Sequence, residues 1–287
     1  MSAAVDRMLP LYEAKMIAKF DHRDAGVVKS QTAAKRQNQP SYLSEADHQD
    51  PWLNPVPGYW VAEHSVPGSL PSRLLGFSNV TSPTNQRTMI AAQLPRVGAG
   101  HSLPLIFASN TLLLCAILNS FVFDYVARQK VAGVNFSYMY LRQLPVPPPR
   151  VFDRSTPWDA QDALRDWLES RAEELVATSW DLPATRGDTP NPFVWSESRR
   201  AVVLAEIDAA LFHVYGVERG DVDYIMDTFP IVKRKDEAQY GEYRTKRLIL
   251  ENYDRMQECM DNGTEFVSTL NPPPGFGPRH PERTIDA

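Results

Sequence analysis

The sequence predicts an α+β protein, in which a mixed α/β domain is followed by a mainly helical domain. Short apolar segments bounded by turn residues dominate residues 1–149, whereas residues 150–270 carry apolar residues at helical spacing among many charges. The segment Pro145-Val146-Pro147-Pro148-Pro149 separates the two patterns. Because proline fixes φ and cannot extend a helix or a central strand, this segment predicts the domain boundary.

In the first domain, residues 9–20 predict a short strand or helix, and residues 29–57 predict a surface loop because they are rich in Gln, Asn, Ser and Pro. The remaining predicted elements of this domain are strands at 59–61, 74–80, 88–94 and 136–144 and a helix at 111–130 capped by Asn110.

In the second domain, the apolar periodicity predicts four helices, and glycines mark the ends of two of them. These helices are 158–178, 199–215 ending at Gly216, 221–229 ending before Pro230, and 243–260 ending at Asn262-Gly263. Residues 271–287 are rich in proline and glycine and predict a disordered tail.

The composition is that of an ordinary folded protein, with 43% hydrophobic and 23% charged residues over 287 positions. Its net charge of −5 argues against indiscriminate binding to polyanions. The charge is uneven, however: residues 1–149 have 13 basic and 9 acidic side chains, whereas residues 150–230 have 8 and 16. The two regions are therefore expected to bind different partners.

The most informative block is residues 64–149, which contains six Arg and Lys residues and a single acid, Asp124. A polyanion such as DNA responds to local charge, so this block predicts a basic surface. Within it, Ser82-Pro83-Thr84-Asn85-Gln86-Arg87-Thr88 places an amide, a guanidinium and hydroxyls at the entrance of a predicted strand. Because these groups read base edges and phosphates, Asn85, Arg87 and Thr88 are candidate DNA contacts.

Further basic and amide residues extend the candidate surface, although each has a simpler interpretation. Cations at the end of a helix are favoured by its dipole, and the cluster near residue 240 interleaves with acids that could form salt bridges. The additional candidate DNA contacts are Arg96, Arg128, Lys130, Asn135, Lys233, Arg234, Lys235, Arg244 and Lys246.

No complete catalytic, cofactor or metal motif is found in the sequence. Asn271-Pro272-Pro273-Pro274 lacks the aromatic residue that ends the tetrad of amino-methyltransferases, and Gly98-Ala99-Gly100 lacks a following helix to hold S-adenosylmethionine. Asp221 and Asp223 are two residues apart and point away from each other on a helix. The two cysteines predict reduced thiols in a cytoplasmic protein, and residues 103–126 contain too many polar residues to predict a membrane span.

A series of segments resembles the part of large adenine-specific DNA methyltransferases that follows their catalytic domain. These are the fused restriction–modification enzymes and the methylases of phage-defence systems such as DISARM and BREX. The similar segments in the first half are Leu9-Pro10-Leu11-Tyr12-Glu13-Ala14-Lys15-Met16, Phe20-Asp21-His22-Arg23, Tyr59-Trp60-Val61, Leu75-Gly76-Phe77-Ser78-Asn79-Val80-Thr81, Thr84-Asn85-Gln86-Arg87-Thr88, Leu118-Asn119-Ser120-Phe121 and Tyr125-Val126-Ala127-Arg128-Gln129-Lys130. Those in the second half are Asp223-Tyr224-Ile225-Met226-Asp227-Thr228-Phe229-Pro230 and Tyr240-Gly241-Glu242-Tyr243-Arg244-Thr245-Lys246.

The resemblance implies a target-recognition domain over residues 1–149, a helical domain over residues 150–270 and duplex DNA as a partner. It also implies a separate methyltransferase subunit or domain, which would hold S-adenosylmethionine and methylate adenine at N6. No cofactor is expected on this chain, and the chain is not expected to be active alone. Which residues read bases is not carried over from the resemblance.

Two other classes of function remain open. The chain could be a protein-docking scaffold, or a remnant of a truncated gene, without DNA binding. It could instead be a nuclease that uses the carboxylates near residues 221–242, although helix capping and a solvated face explain these residues as well.

Overall fold

The computed structural model describes residues 6–30, 38–186 and 190–282 and has an α+β fold. The strands are β1 (Met8–Tyr12), β2 (Ala25–Lys29), β3 (Asn38–Tyr42), β4 (Tyr59–Ala62), β5 (Arg73–Phe77), β6 (Ala91–Pro95), β7 (Gly98–Ala99), β8 (Leu105–Ile106), β9 (Ser155–Thr156) and β10 (Asp159–Ala163). The α-helices are α1 (Glu45–Gln49), α2 (Thr111–Asn119), α3 (Phe121–Lys130), α4 (Tyr138–Leu141), α5 (Pro149–Phe152), α6 (Leu164–Val176), α7 (Glu197–Val214), α8 (Arg219–Asp227), α9 (Pro230–Tyr240) and α10 (Arg244–Asn262).

The strands form small sheets in the first half of the chain. β5 is the centre of the three-stranded antiparallel sheet β6-β5-β8, and β1 lies between antiparallel β4 and parallel β7. β2 pairs with β3, and the short strands β9 and β10 pair with each other. The predicted strands at 74–80 and 88–94 therefore correspond to the β5–β6 hairpin.

One apolar core extends across the predicted domain boundary. It contains Phe77 and Phe121 from the first half together with Trp167, Phe212 and Met256 from the second half, all nearly inaccessible to solvent. Burial of large apolar side chains is the main stabilising contribution to a fold. The packing of the core is therefore continuous past the proline-rich segment at 145–149.

The predicted loop at 29–57 is wrong for half of its described residues. β3 and α1 lie within it, and α1 begins with a capping box in which Ser44 and Asp47 satisfy each other's backbone N–H groups. Residues 31–37 of this prediction lie outside the described residues.

Two predicted elements differ in type or continuity. The predicted strand at 136–144 contains the helical turn α4 instead, and Phe136 donates its N–H to Asn79 O at 2.7 Å as a single strand-like contact. The predicted helix at 111–130 is divided into α2 and α3, bent by 68° around Ser120. The Ser120 hydroxyl accepts a hydrogen bond from Phe123 N and thus caps α3.

The predicted disordered tail is ordered as far as Glu282. Gly275 N donates to Glu174 Oε2 at 2.7 Å, and Val194 N donates to Pro278 O at 2.8 Å. Arg199 Nη1 donates to Pro272 O at 2.8 Å. Polar groups of α6 and α7 thus satisfy the tail backbone, which the composition alone could not indicate. Residues 283–287 of the predicted tail lie outside the described residues.

Within the described ranges, no single helix is long and apolar enough for a membrane span. Only the bent pair α2–α3 has sufficient length and apolar content when its two helices are taken together, and most of its apolar residues belong to the core.

Candidate nucleic-acid interface

Asp124 on α3 fixes the end of the predicted DNA-contacting segment. Its buried carboxylate accepts hydrogen bonds from Thr88 N at 2.9 Å, from Met89 N at 2.8 Å and from Arg87 Nε at 2.7 Å. A second Arg87 nitrogen donates to Asn119 O, and the guanidinium lies 4.0 Å from the centre of the Phe121 ring. The single acid of the basic block is thus the anchor of this segment.

Arg128 fixes the preceding residues from the other side. Its Nη2 donates to both Asn85 O and Gln86 O at 2.7 Å, and its Nη1 donates to Thr228 O at 3.3 Å. The Arg128 guanidinium also lies 4.0 Å from the centre of the Phe229 ring. The loop formed by residues 82–86, here called the 82–86 loop, is therefore held against the junction of α8 and α9.

Three side chains of this loop face solvent, although the Thr84 hydroxyl lies 2.8 Å from the Ser82 hydroxyl and the Gln86 amide oxygen accepts from Lys235. Thr84, Asn85 and Gln86 are exposed, and the backbone contacts with Arg128 leave the Asn85 amide group available. Ser82 shapes the turn because its hydroxyl accepts a hydrogen bond from Thr84 N at 3.2 Å. The loop thus presents hydroxyl and amide groups from a backbone that buried cations hold in place.

One cation of α9 and the segment after α3 lie beside the loop. Lys235 on α9 donates to Gln86 Oε1 at 2.6 Å, and Thr81 N donates to Val134 O at 3.0 Å, which brings the segment after α3 beside the loop. Glu237 is an exposed acid on the same helix as Lys235. We call the exposed side chains of this region the junction surface: Thr84, Asn85, Gln86, Lys130, Asn135, Lys233, Arg234 and Lys235.

Arg87 and Thr88 do not lie on this surface, contrary to prediction. Arg87 is 6% exposed and Thr88 is 0% exposed, because both face Asp124 inside the fold. In this arrangement neither side chain can reach a phosphate or a base. Their role is to hold the loop that precedes them.

Four other predicted contacts are also engaged within the protein. Arg128 is committed to backbone carbonyls, and Lys246 lies 3.0 Å from Asp223 and 2.9 Å from Asp227. Arg96 is half-exposed and donates to Glu63 at 3.1 Å, and the Arg244 guanidinium lies 4.7 Å from the centre of the Tyr240 ring. These contacts compete with DNA for the same positive charges.

The basic face predicted for residues 64–149 has few cations without a protein partner. Of its six cations, Arg73 pairs with Glu173 of α6 at 2.8 Å, while Arg87, Arg96 and Arg128 have the partners described above. Lys130 and Arg142 are exposed. Most of the positive charge of the junction surface therefore comes from α9, in the half of the chain that is acidic overall.

Sequence reasoning missed the buried cluster formed by Asp21, His22 and Arg23. The Arg23 guanidinium donates to the carbonyls of His48, Asp50, Leu53 and Thr178. Asp21 accepts from His48 Nε2 at 2.9 Å, and His22 Nε2 lies 3.1 Å from Asp181 Oδ1. The one indication of burial in the sequence is that these charged residues directly follow the apolar residue Phe20.

The electrostatics of this cluster follow from its pairing. Burial alone would raise the pKa of Asp21 and lower that of His48. Their mutual hydrogen bond and opposite charges outweigh burial, so the pKa of Asp21 is lowered and that of His48 is raised. Both His48 ring nitrogens face oxygen atoms, Ser44 O and Asp21 Oδ2, each at 2.9 Å, so the hydrogen bonds favour the ionised form of the pair. The pair links the 21–24 turn to α1.

The glycine-containing segment 98–100 does not fit S-adenosylmethionine. Gly98 lies in β7, where an added Cβ would be only 2.6 Å from Val61 Cγ1, and Gly100 N donates to Tyr12 O at 2.8 Å. These glycines allow close packing in a sheet. Among the described residues, no group of three or more His, Cys, Asp or Glu side chains could hold a metal ion.

An open cleft of about 820 Å³ adjoins the junction surface. Its walls include Glu13, Lys15, Asp24, Tyr42, Gln86 and Lys235. Burial, and next the nearby charge of Asp21, raise the pKa of Asp24 to about 6. The cleft therefore combines cations, carboxyl groups, an amide and an aromatic ring.

Comparisons of the chain with models of protein families, with curated proteins and with solved structures find no match.

Proposed function

We propose that this chain recognises duplex DNA for an adenine-specific DNA methyltransferase of a restriction–modification or phage-defence system. The proposal combines the resemblance described above with one structural observation. That observation is an exposed loop of hydroxyl and amide groups, fixed by two buried arginines and placed beside the cations of α9.

Each part of the junction surface has a distinct task in this proposal. Asn85 and Gln86 carry amides that can pair with base edges, for which a fixed backbone matters because base recognition depends on geometry. Lys130, Lys233 and Arg234 supply charge for phosphates, whose contacts position the protein without reading sequence. The methyl transfer itself is assigned to a separate domain that binds S-adenosylmethionine.

The test is an electrophoretic mobility shift titration of a random-sequence duplex at several salt concentrations, followed by selection of the preferred sequence. We expect binding at about 50 mM salt that weakens linearly with the logarithm of salt concentration. Lys233→Ala and Arg234→Ala should each reduce the salt slope by about 1 when the residue contacts a phosphate. Arg142→Ala is the matched control, because Arg142 is exposed but lies outside the junction surface.

A second candidate function is supported by the protein partners that occupy most cations of residues 64–149. Four of its six cations have protein partners, and the net charge of −5 repels DNA. A protein-docking scaffold is consistent with this distribution. No shift of any duplex at about 50 mM salt would favour the scaffold and reject DNA recognition.

A further inference from the structure

The cleft beside the junction surface has a composition that DNA backbone contacts alone do not explain. Lys15 and Lys235 line it together with the carboxyl groups of Glu13 and Asp24, so its formal charges balance. A groove that follows a phosphate backbone carries an excess of positive charge. A balanced cleft suits a ligand that has both an anionic group and hydrogen-bond donors.

Two side chains indicate what that ligand contains. The Tyr42 ring lines the cleft and is 70% exposed, so it is an open platform for a flat apolar group. Glu13 Oε1 lies 3.3 Å from Lys15 Nζ, so these two charges pair within the protein. Asp24 is partly exposed and lines the same cleft, so its carboxyl group can accept a hydrogen bond from a ligand.

We propose that the cleft binds one unpaired nucleotide of a DNA strand whose base carries an exocyclic amino group. The base stacks on Tyr42, its amino group donates to the Asp24 carboxylate, and Lys235 contacts the adjoining phosphate. A volume of about 820 Å³ lies within the usual range for ligand sites, about 300–1,000 Å³. This inference rests on the proposed function and extends it from the duplex surface to a nucleotide outside the stack.

The direct test measures fluorescence anisotropy of short labelled single strands of oligo(dC) and oligo(dT) at about 50 mM salt. Cytosine has an amino group where thymine has a carbonyl oxygen. A comparison of the two strands therefore tests the contribution of the amino group to binding. We expect oligo(dC) to bind at least several-fold more tightly than oligo(dT). Asp24→Asn should abolish this difference, because an amide oxygen is a weaker acceptor than a carboxylate.

The stacking contact is tested with Tyr42→Leu, which should weaken oligo(dC) binding about tenfold. Tyr224→Leu is the matched control because Tyr224 is 61% exposed on α8, outside the cleft, and it should leave the affinity unchanged. Denaturant unfolding of both variants should match that of the parent protein, since neither ring is buried. Equal binding of the two strands, or no effect of Tyr42→Leu, would overturn the inference.

The two proposals fail separately. Duplex shifts that persist in the absence of any oligo(dC) preference would reject the nucleotide cleft and keep duplex recognition. Binding of oligo(dC) that depends on Tyr42, without a duplex shift, would keep the cleft and reject duplex recognition.

Discussion

Arg87 and Asp124 form a buried ion pair, with Arg87 Nε 2.7 Å from Asp124 Oδ2 and the two side chains 6% and 0% exposed. The same carboxylate accepts two backbone N–H groups at the start of the segment leading to β6. A residue that the sequence suggested for DNA contact is thus a support for the loop that precedes it.

Arg87→Ala should lower the free energy of unfolding by about 3 kcal/mol, because the buried Asp124 charge loses its closest cation and keeps Arg128 Nε only at 3.9 Å. Urea denaturation followed by circular dichroism measures this change. Arg142→Ala is the control and should change stability by less than about 0.5 kcal/mol. An Arg87→Ala protein as stable as its parent, but defective in DNA binding, would restore Arg87 as a direct contact.

Asn85→Ala should show the opposite behaviour. The Asn85 side chain is exposed and Arg128 contacts only its backbone oxygen, so stability should remain within about 0.5 kcal/mol of the parent value. Affinity for the preferred duplex should fall by about 1–3 kcal/mol, with relaxed sequence preference at one position. Gln257→Ala removes an exposed amide on α10 and serves as the control. Unchanged affinity and preference in Asn85→Ala would contradict base reading by this loop.

Asp24→Asn should stabilise the protein at pH 8. The pKa of Asp24 is raised from 3.8 to about 6 in the fold, mainly by burial, so its ionisation destabilises the folded state as pH rises through this window. The amide does not ionise and should gain about 1 kcal/mol over the parent at pH 8 after allowance for solvent screening. The difference should shrink as pH falls through 6 and vanish below 3.8. Denaturation across this pH range measures it, and a pH-independent offset would refute the explanation.

Only one of the two thiols should react in the folded protein. Cys115 is fully buried, and burial raises its pKa to about 12, whereas Cys259 is partly exposed. Since the thiolate is the reactive form, a chromogenic disulfide reagent at pH 8 should modify Cys259 quickly and Cys115 only in denaturant. Cys259→Ser should remove the fast phase. Fast modification of both thiols in the folded protein would indicate that the core around α2 opens readily.

The fold was most predictable where a local pattern decides the structure. The helices predicted at 199–215 and 243–260 correspond to α7 and α10, and Gly216 and Gly263 follow them with positive φ, as expected for helix ends. The sequence does not indicate α9, because Pro230 predicts the end of the preceding helix and only Val232 of the α9 residues is buried. The aromatic residues near 138 suggested a strand, but no neighbouring strand pairs with that segment in the described chain.

The site was less predictable because its decisive contacts join distant positions. Arg87 and Asp124 are 37 residues apart, and Lys235 contacts Gln86 across 149 residues. Composition drew attention to the 82–88 segment but could not distinguish a buried cation from an exposed one. Asn85 lies on the junction surface, whereas Arg87, two positions later, lies inside the fold.

The continuous core has a practical consequence for the design of chimeras from this protein. Arg73 on β5 pairs with Glu173 on α6, and Arg23 donates to the Thr178 carbonyl. Separation of the chain at the proline-rich segment would therefore leave buried charges without partners and expose the apolar core to solvent. A chimera that swaps only the first 149 residues should aggregate. Grafts confined to the 82–86 loop, with its two arginine supports retained, are the exchange that the architecture tolerates.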